Sequence, residues 1–156
     1  MQLRPITNQD IPAAVKLQKM AITDLCEPDY GKNMCAQWAN DIEAADFASF
    51  KEGQYFVAEE AGQLIAMGGW TGDNLKLFYI APARVGQGLA TSFFNALEMR
   101  YLQEKPKHWL VLATLTALPF YLKMGFQKIQ TSVFKLKNGI ELPMHVLMKT
   151  YTTGAK

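Results

Sequence analysis

Cysteine, histidine and runs of like charge are all scarce in this sequence. There are two cysteines, Cys26 and Cys35, and two histidines, His108 and His145, among 156 residues. Two thiols cannot build a disulfide framework and suit a reducing compartment. A zinc site needs ligand pairs at short spacing, and the two histidines lie far apart, so no metal is expected. Acids and bases are interspersed and leave a formal net charge of +2. That balance gives no field strong enough to argue for nucleic acid or an anionic membrane. No uninterrupted apolar stretch reaches the ~18 residues of a membrane span. The opening MQLRPITNQD lacks the apolar region of a secretory signal, so the expected compartment is the cytoplasm.

What is present is ordinary for a globular protein. Apolar residues make up 49% and charged residues 19% of the chain, a balance that excludes disorder. The length suits one domain, residues 1–156, around one sizeable core. Residues 2–6 read as a short edge strand, because Pro5 cannot donate to a central ladder. Thr7 and Asp10 then open a helix with apolar residues at Ile11, Ala14, Val15, Ile22 and Leu25. EPDYG reads as a turn, and a second helical segment spans about 33–50. QYFVAEE and LIAMGGW form a hairpin, followed by the strand LKLFYIAP. The segment 86–105 is an amphipathic helix, HWLVLAT a strand buried on both faces, and LPFYLKMG a short helix capped by Gly125. Two further strands separated by KNG close the chain as a hairpin. The pattern is α+β: a central mixed, mostly antiparallel sheet flanked by helices, with mixed pairing where strand 75–82 passes through a helix to strand 108–114.

The segment carrying chemistry is 75–101, a strand, then PARVGQG, then a helix. Gly86 and Gly88 sit at the strand-to-helix turn, where glycine lets a ligand approach the main chain. The first helical N–H groups lack internal partners and the dipole adds positive character, so phosphate is a natural guest. A plain pair of loop glycines explains the same residues equally well. A Walker loop is excluded, since no Gly-Lys-Ser/Thr follows, and the dinucleotide fingerprint fails at Ala90–Thr91.

FYIAPARVGQGLATSFFNALE resembles motif A of the GNAT acyltransferases, Gln/Arg-x-x-Gly-x-Gly/Ala after a strand. Aligned on Gly88 and Ala90, the first position falls on Val85, with Arg84 one residue early. LATLTALPFYLKMGFQKI resembles the family's motif B, with Ala117, Phe120, Tyr121, Lys123, Gly125 and Phe126 in register. Thr114 stands where that motif has Asn. DYGKNMCAQWA is similar to a stretch of the YafP-like branch.

The resemblance implies a GNAT fold in which strand 75–81 splays from strand 108–114. Acetyl-CoA would lie in the opening as acyl donor, its pantetheine arm along Phe78, Tyr79 and Ile80 and near Thr114. Amides of Val85, Gly86, Gln87, Gly88, Leu89, Ala90 and Thr91 would take its pyrophosphate. A backbone N–H near Tyr79 or Ile80 would polarise the thioester carbonyl. Tyr121 is implied as the catalytic acid, since a phenol of pKa ~10 can protonate a departing thiolate. Packing against Phe120 and Phe126 is the competing role.

Asp24, Glu27, Glu59 and His145 are candidates for a general base, although each reads first as a solvated surface group. His108 reads as structural. Cys26 or Cys35 as a ping-pong nucleophile has no support in the spacing, and free cysteines are usually small core residues. Trp38, Trp70 and Tyr30 could line an acceptor pocket, though the helix face of Trp38 favours the core.

The implied activity is N-acetyl transfer to an unidentified primary amine, small molecule or peptide, by direct attack in a ternary complex. The alternative is a non-catalytic acyl-CoA-binding sensor or interaction module. No nucleic acid or membrane partner is expected, and the closing hairpin offers an edge for a homodimer.

Overall fold

A computed structural model of the chain describes residues 2–152. Arg4–Pro5 form β1, a two-residue strand where the sequence suggested five. Arg4 donates two 2.8 Å hydrogen bonds to Asp10, and the Thr7 N–H donates a third to the same carboxylate. These bonds, led by those from Arg4, hold Asp10 down to a pKa of about 2 and tie the edge strand to the start of α1, Ile11–Leu25. Pro12 sits in the first turn of α1, where its missing N–H costs nothing. Ala14, Leu17, Ala21 and Ile22 form the buried stripe.

Two sequence expectations change in the next segment. EPDY is not an open turn but a single helical turn, α2, Glu27–Tyr30. The helix expected over 33–50 is broken. α3 runs Lys32–Asp41, and Ile42 turns extended (φ −80°, ψ 127°) before a 3-10 segment, Ala44–Glu52. The break has a local cause: Asp46 accepts from the Glu43 N–H at 2.8 Å and caps the new segment.

β2 (Gln54–Glu60) and β3 (Gln63–Thr71) form the expected hairpin around Ala61–Gly62, both at positive φ. β4 (Asn74–Ile80) ends before Pro82, two residues short of the expected strand. α4, Leu89–Leu102, begins three residues later than expected, because Gly88 caps it in the left-handed conformation. β5 (His108–Thr114), α5 (Leu118–Lys123), β6 (Gln127–Lys135) and β7 (Glu141–Thr150) complete the described chain.

The sheet order is β1-β2-β3-β4-β5-β7-β6, antiparallel except for β4 against β5. One side packs on α4 and α5 through Phe93, Phe94, Leu97 and Trp109, and the other on α1–α3 through Ile22, Trp38, Phe47 and Val57. β5 is not buried on both faces as expected. Its burial alternates, and Leu112 is 44% exposed. The reason is an opening beside it.

Candidate active site

β4 and β5 pair over only two residues, Asn74 with Leu110 and Leu75 with Val111. Beyond Leu75 the strands separate, which leaves Leu112 uncovered. The parting coincides with a bulge in β4: the register passes from Met67–Tyr79 to Gly69–Lys76, so Leu77 and Phe78 together oppose Gly68. Leu77 sits at φ +59°, a conformation disfavoured for a residue with a branched side chain. A bulge leaves backbone groups outside the ladder and re-aims side chains. Gly68 allows the bend, because a Cβ there would come within 3.0–3.3 Å of Leu97, Phe78 and Phe93.

The separation opens a cleft of about 560 Å³. Its walls are β4 from Leu75 to Ile80 and β5 from Val111 to Thr114; one end is the turn before α4 and another is α5. Of the residues expected to hold the donor, Phe78, Tyr79, Ile80, Val85, Gly86, Gly88, Ala90, Thr91 and Thr114 line it. Gln87 and Leu89 do not present side chains there. Gln87 accepts a 2.8 Å hydrogen bond from Arg84 Nε, and Leu89 is buried in the core. Arg84 also pairs with Glu60, so the turn is anchored to the β2–β3 hairpin. Gly88 has φ +81°, and space beyond its Cα is open. A backbone approach to the first turn of α4 is therefore unobstructed.

Tyr121 lies in the cleft wall on α5, almost fully buried. It touches Phe120 and Phe126 edge to face, so the packing role and the cleft role are both fulfilled. Burial pushes its phenol well above the ordinary tyrosine value, with Tyr79 adding to the effect and no hydrogen bond offsetting it. The rise makes the phenol a weaker acid than the ordinary tyrosine on which its implied role as catalytic acid rests, and no hydrogen bond occupies its oxygen among the described residues. Tyr79 is different: Gln18 Nε2 donates to its hydroxyl at 3.2 Å, and burial raises it to about 12. The Thr114 hydroxyl accepts from the Ala117 N–H at 3.0 Å, fixing the turn into α5.

A second cleft of about 480 Å³ adjoins the first and shares Leu75, Lys76, Leu77, Tyr79, Leu112 and Thr114 with it. Trp38, Phe47, Phe50, Tyr55 and Phe134 give it an aromatic lining, with Asp41, Asp46, Lys135 and Lys137 among the polar groups. Trp38 is thus placed at a cavity as well as in the core. Trp70 instead belongs to the other core and donates outward to the exposed Glu104, and Tyr30 donates to the Pro143 carbonyl at 2.6 Å.

None of the four general-base candidates lines either cleft. Glu59 is engaged by Arg4 at 3.0 Å. His145 has a buried Nδ1 without a partner among the described residues, and burial lowers its pKa. Cys26 does border the first cleft, but burial raises its thiol to about 11 and also raises Cys35. Neither is a ready thiolate nucleophile. No cluster of metal-ligating side chains is found among the described residues. No helix among them is long and apolar enough to cross a membrane. Sequence reasoning missed Lys76 and Thr116 in the first cleft and Asp41 and Asp46 in the second. No short-range pattern joins residues drawn from such distant elements.

Residues 26–148 match the family described as Acetyltransferase (GNAT) domain. No curated protein matches the sequence. Among solved structures, a GCN5-related N-acetyltransferase from Rhodopseudomonas palustris superposes with a TM-score of 0.87 at 24% identity, covering 96% of this chain and 95% of that one. PaiA N-acetyltransferase from Thermoplasma acidophilum, solved in complex with coenzyme A, gives 0.72 at 12% identity over 96% and 98%. YncA from Salmonella typhimurium, solved with its cofactor acetyl-CoA, gives 0.67 at 13% identity over 100% and 96%.

Proposed function

Since the chain belongs to the GNAT acetyltransferase family, we propose that it works as one domain that moves the acetyl group of acetyl-CoA to a primary amine, both substrates being bound together. The observation carrying this reading is the continuity of the first cleft. It runs from the open turn at Gly86 and Gly88 to the unbonded phenol of Tyr121.

The residues present fit the donor. Open space beyond Gly86 and Gly88 admits a bulky anion against the amides of 85–91, and the α4 dipole favours its charge. The separated edge of β4 at Phe78–Ile80 offers main-chain groups to an extended arm, with Thr114 across the cleft. Acetyl-CoA, when bound, supplies an acetyl group activated as a thioester. Tyr121 holds a proton for the sulfur, and β4 beyond its bulge carries the N–H groups suited to a developing oxyanion. Phe78, stacked on Phe120 with centroids 5.5 Å apart, gives the cleft an apolar wall beside Tyr121.

Valine at position 85, 53% exposed, and threonine at 114 depart from the family pattern and favour the second reading, an acyl-CoA-binding module without catalysis. The free phenol of Tyr121 favours the enzyme. The acceptor partner is a small-molecule or peptide amine, with no role for nucleic acid or membrane. The proposed compartment is the cytoplasm, and the β6 edge is the surface through which a homodimer would form.

Calorimetric titration with acetyl-CoA tests the reading. Wild type is expected to bind one equivalent saturably, and Gly88→Trp to lose at least tenfold in affinity. The tryptophan would fill the open space and strain a backbone at φ +81°. Absence of binding by a folded wild-type sample would dismiss the donor assignment.

A further inference from the structure

The second cleft carries a chemistry of its own. Its interior is aromatic, and at about 480 Å³ it is sized for a small molecule. Of its two carboxylates, Asp46 is ion-paired, and Asp41 accepts a main-chain N–H without an ion-pair partner among the described residues. Asp41 Oδ1 accepts from the Lys137 N–H at 2.9 Å, and the Asp41 carbonyl accepts from the Lys137 ammonium at 2.7 Å. The same ammonium pairs with Asp46 at 3.1 Å and Glu43 at 3.4 Å. One lysine from the β6–β7 turn thus clasps the acidic side of the cleft. Lys76 and Lys135, also at the cleft, have no acidic partner in the ion pairs among the described residues.

We infer that the second cleft is the acceptor site and takes an aromatic primary amine bearing an anionic substituent. The inference rests on the acetyl-transfer reading for the identity of the reacting group. An alkylammonium, with a pKa of ~10, must shed a proton before it can attack. This cleft sets two cations without an ion pair, Lys76 and Lys135, against one such carboxylate, Asp41, so its charge balance disfavours an alkylammonium. An aromatic amine is uncharged at neutral pH because its lone pair is delocalised into the ring. Ring stacking against Phe134 and Tyr55 suits it, and Lys135 or Lys76 receives its anionic group.

The transfer balances without a protein carboxylate. A nitrogen–carbon bond forms as the carbon–sulfur bond breaks; the nitrogen gives up one proton to water, and the sulfur takes one from Tyr121. The tyrosine is then reprotonated from solvent.

The test uses 4-aminobenzoate, aniline, benzylamine and spermidine with the full chain. Released thiol gives kcat/KM in the presence of acetyl-CoA, and calorimetry gives 4-aminobenzoate binding without donor. The expected result is a kcat/KM for 4-aminobenzoate at least tenfold above each of the other three. Lys135→Glu should narrow the 4-aminobenzoate-to-aniline ratio at least tenfold and weaken donor-free binding of 4-aminobenzoate. Preference for spermidine or benzylamine would overturn the inference while leaving the donor assignment standing. Donor-free binding of 4-aminobenzoate that Lys135→Glu weakens, in a protein that does not bind acetyl-CoA, would support the ligand class and overturn acetyl transfer. Failure to bind 4-aminobenzoate in a protein that binds acetyl-CoA would overturn the inference alone, and failure to bind either would overturn both.

Discussion

Replacing Tyr121 with phenylalanine is expected to lower kcat by about 10²-fold or more while acetyl-CoA affinity changes less than threefold. The substitution keeps the ring, and therefore the edge contacts with Phe120 and Phe126 at 5.6 and 5.4 Å. Only the oxygen is lost. No hydrogen bond offsets the rise in its pKa, so the loss leaves no partner unsatisfied and folding stability should hold. That separation lets kinetics decide between the two roles of this residue. Its raised pKa adds a second signature: the phenol stays protonated through the alkaline range, so wild-type kcat should show no falling limb up to about pH 10. Steady-state kinetics beside calorimetry measures all three quantities. Equal kcat in the two proteins would assign Tyr121 to packing and turn attention to a binding-only module.

The largest stability effect is expected at Trp109, which is fully buried where β5 crosses the α4 side of the core. Its ring stacks on Tyr101 at 4.3 Å and 15°, and meets Trp70 edge-on at 6.0 Å. Trp109→Ala removes an indole that neighbouring rings cannot replace and should cost about 4 kcal/mol. In a chain of this length that lowers Tm by roughly 10 °C. Trp109→Phe should cost less than half as much. It keeps an aromatic surface and also removes an indole N–H that has no acceptor among the described residues. Urea denaturation of the three proteins checks the order. Trp109 roots the strand that forms one wall of both clefts, so the alanine variant should also weaken donor binding.

The turn and the short helix that border the first cleft were legible in the sequence. Gly86 and Gly88 marked a strand-to-helix turn open to an anion, and the turn borders the cleft. Tyr121 stood in a recognisable pattern, and it faces that cleft as well. The HWLVLAT strand was placed to the residue, His108–Thr114, but its apolar run was misread as burial on both faces. Leu112 is exposed because β4 bends away, and a bend made by one extra residue opposite Gly68 leaves no periodic trace. The helix expected over 33–50 broke at Ile42 for a comparable reason: apolar spacing continues through a kink that a single Asp46 side chain stabilises.

The second cleft was the least legible part. Trp38, Asp41 and Asp46 come from the α3 region, Lys76 from β4, and Phe134, Lys135 and Lys137 from the closing hairpin. Their meeting depends on β7 inserting between β5 and β6, a pairing set by the whole sheet. The candidate bases failed for the same reason. Asp24, Glu27 and Glu59 were near promising segments in sequence, yet they line neither cleft.

Amide chemical shifts recorded during an acetyl-CoA titration test the central assignment most directly. The account predicts saturable shifts at Gly86, Gly88, Ala90 and Thr91 together with Phe78, Tyr79 and Ile80, because these line the cleft where β4 leaves β5. Shifts confined to residues 41–50, or a spectrum unchanged at saturating acetyl-CoA, would contradict it.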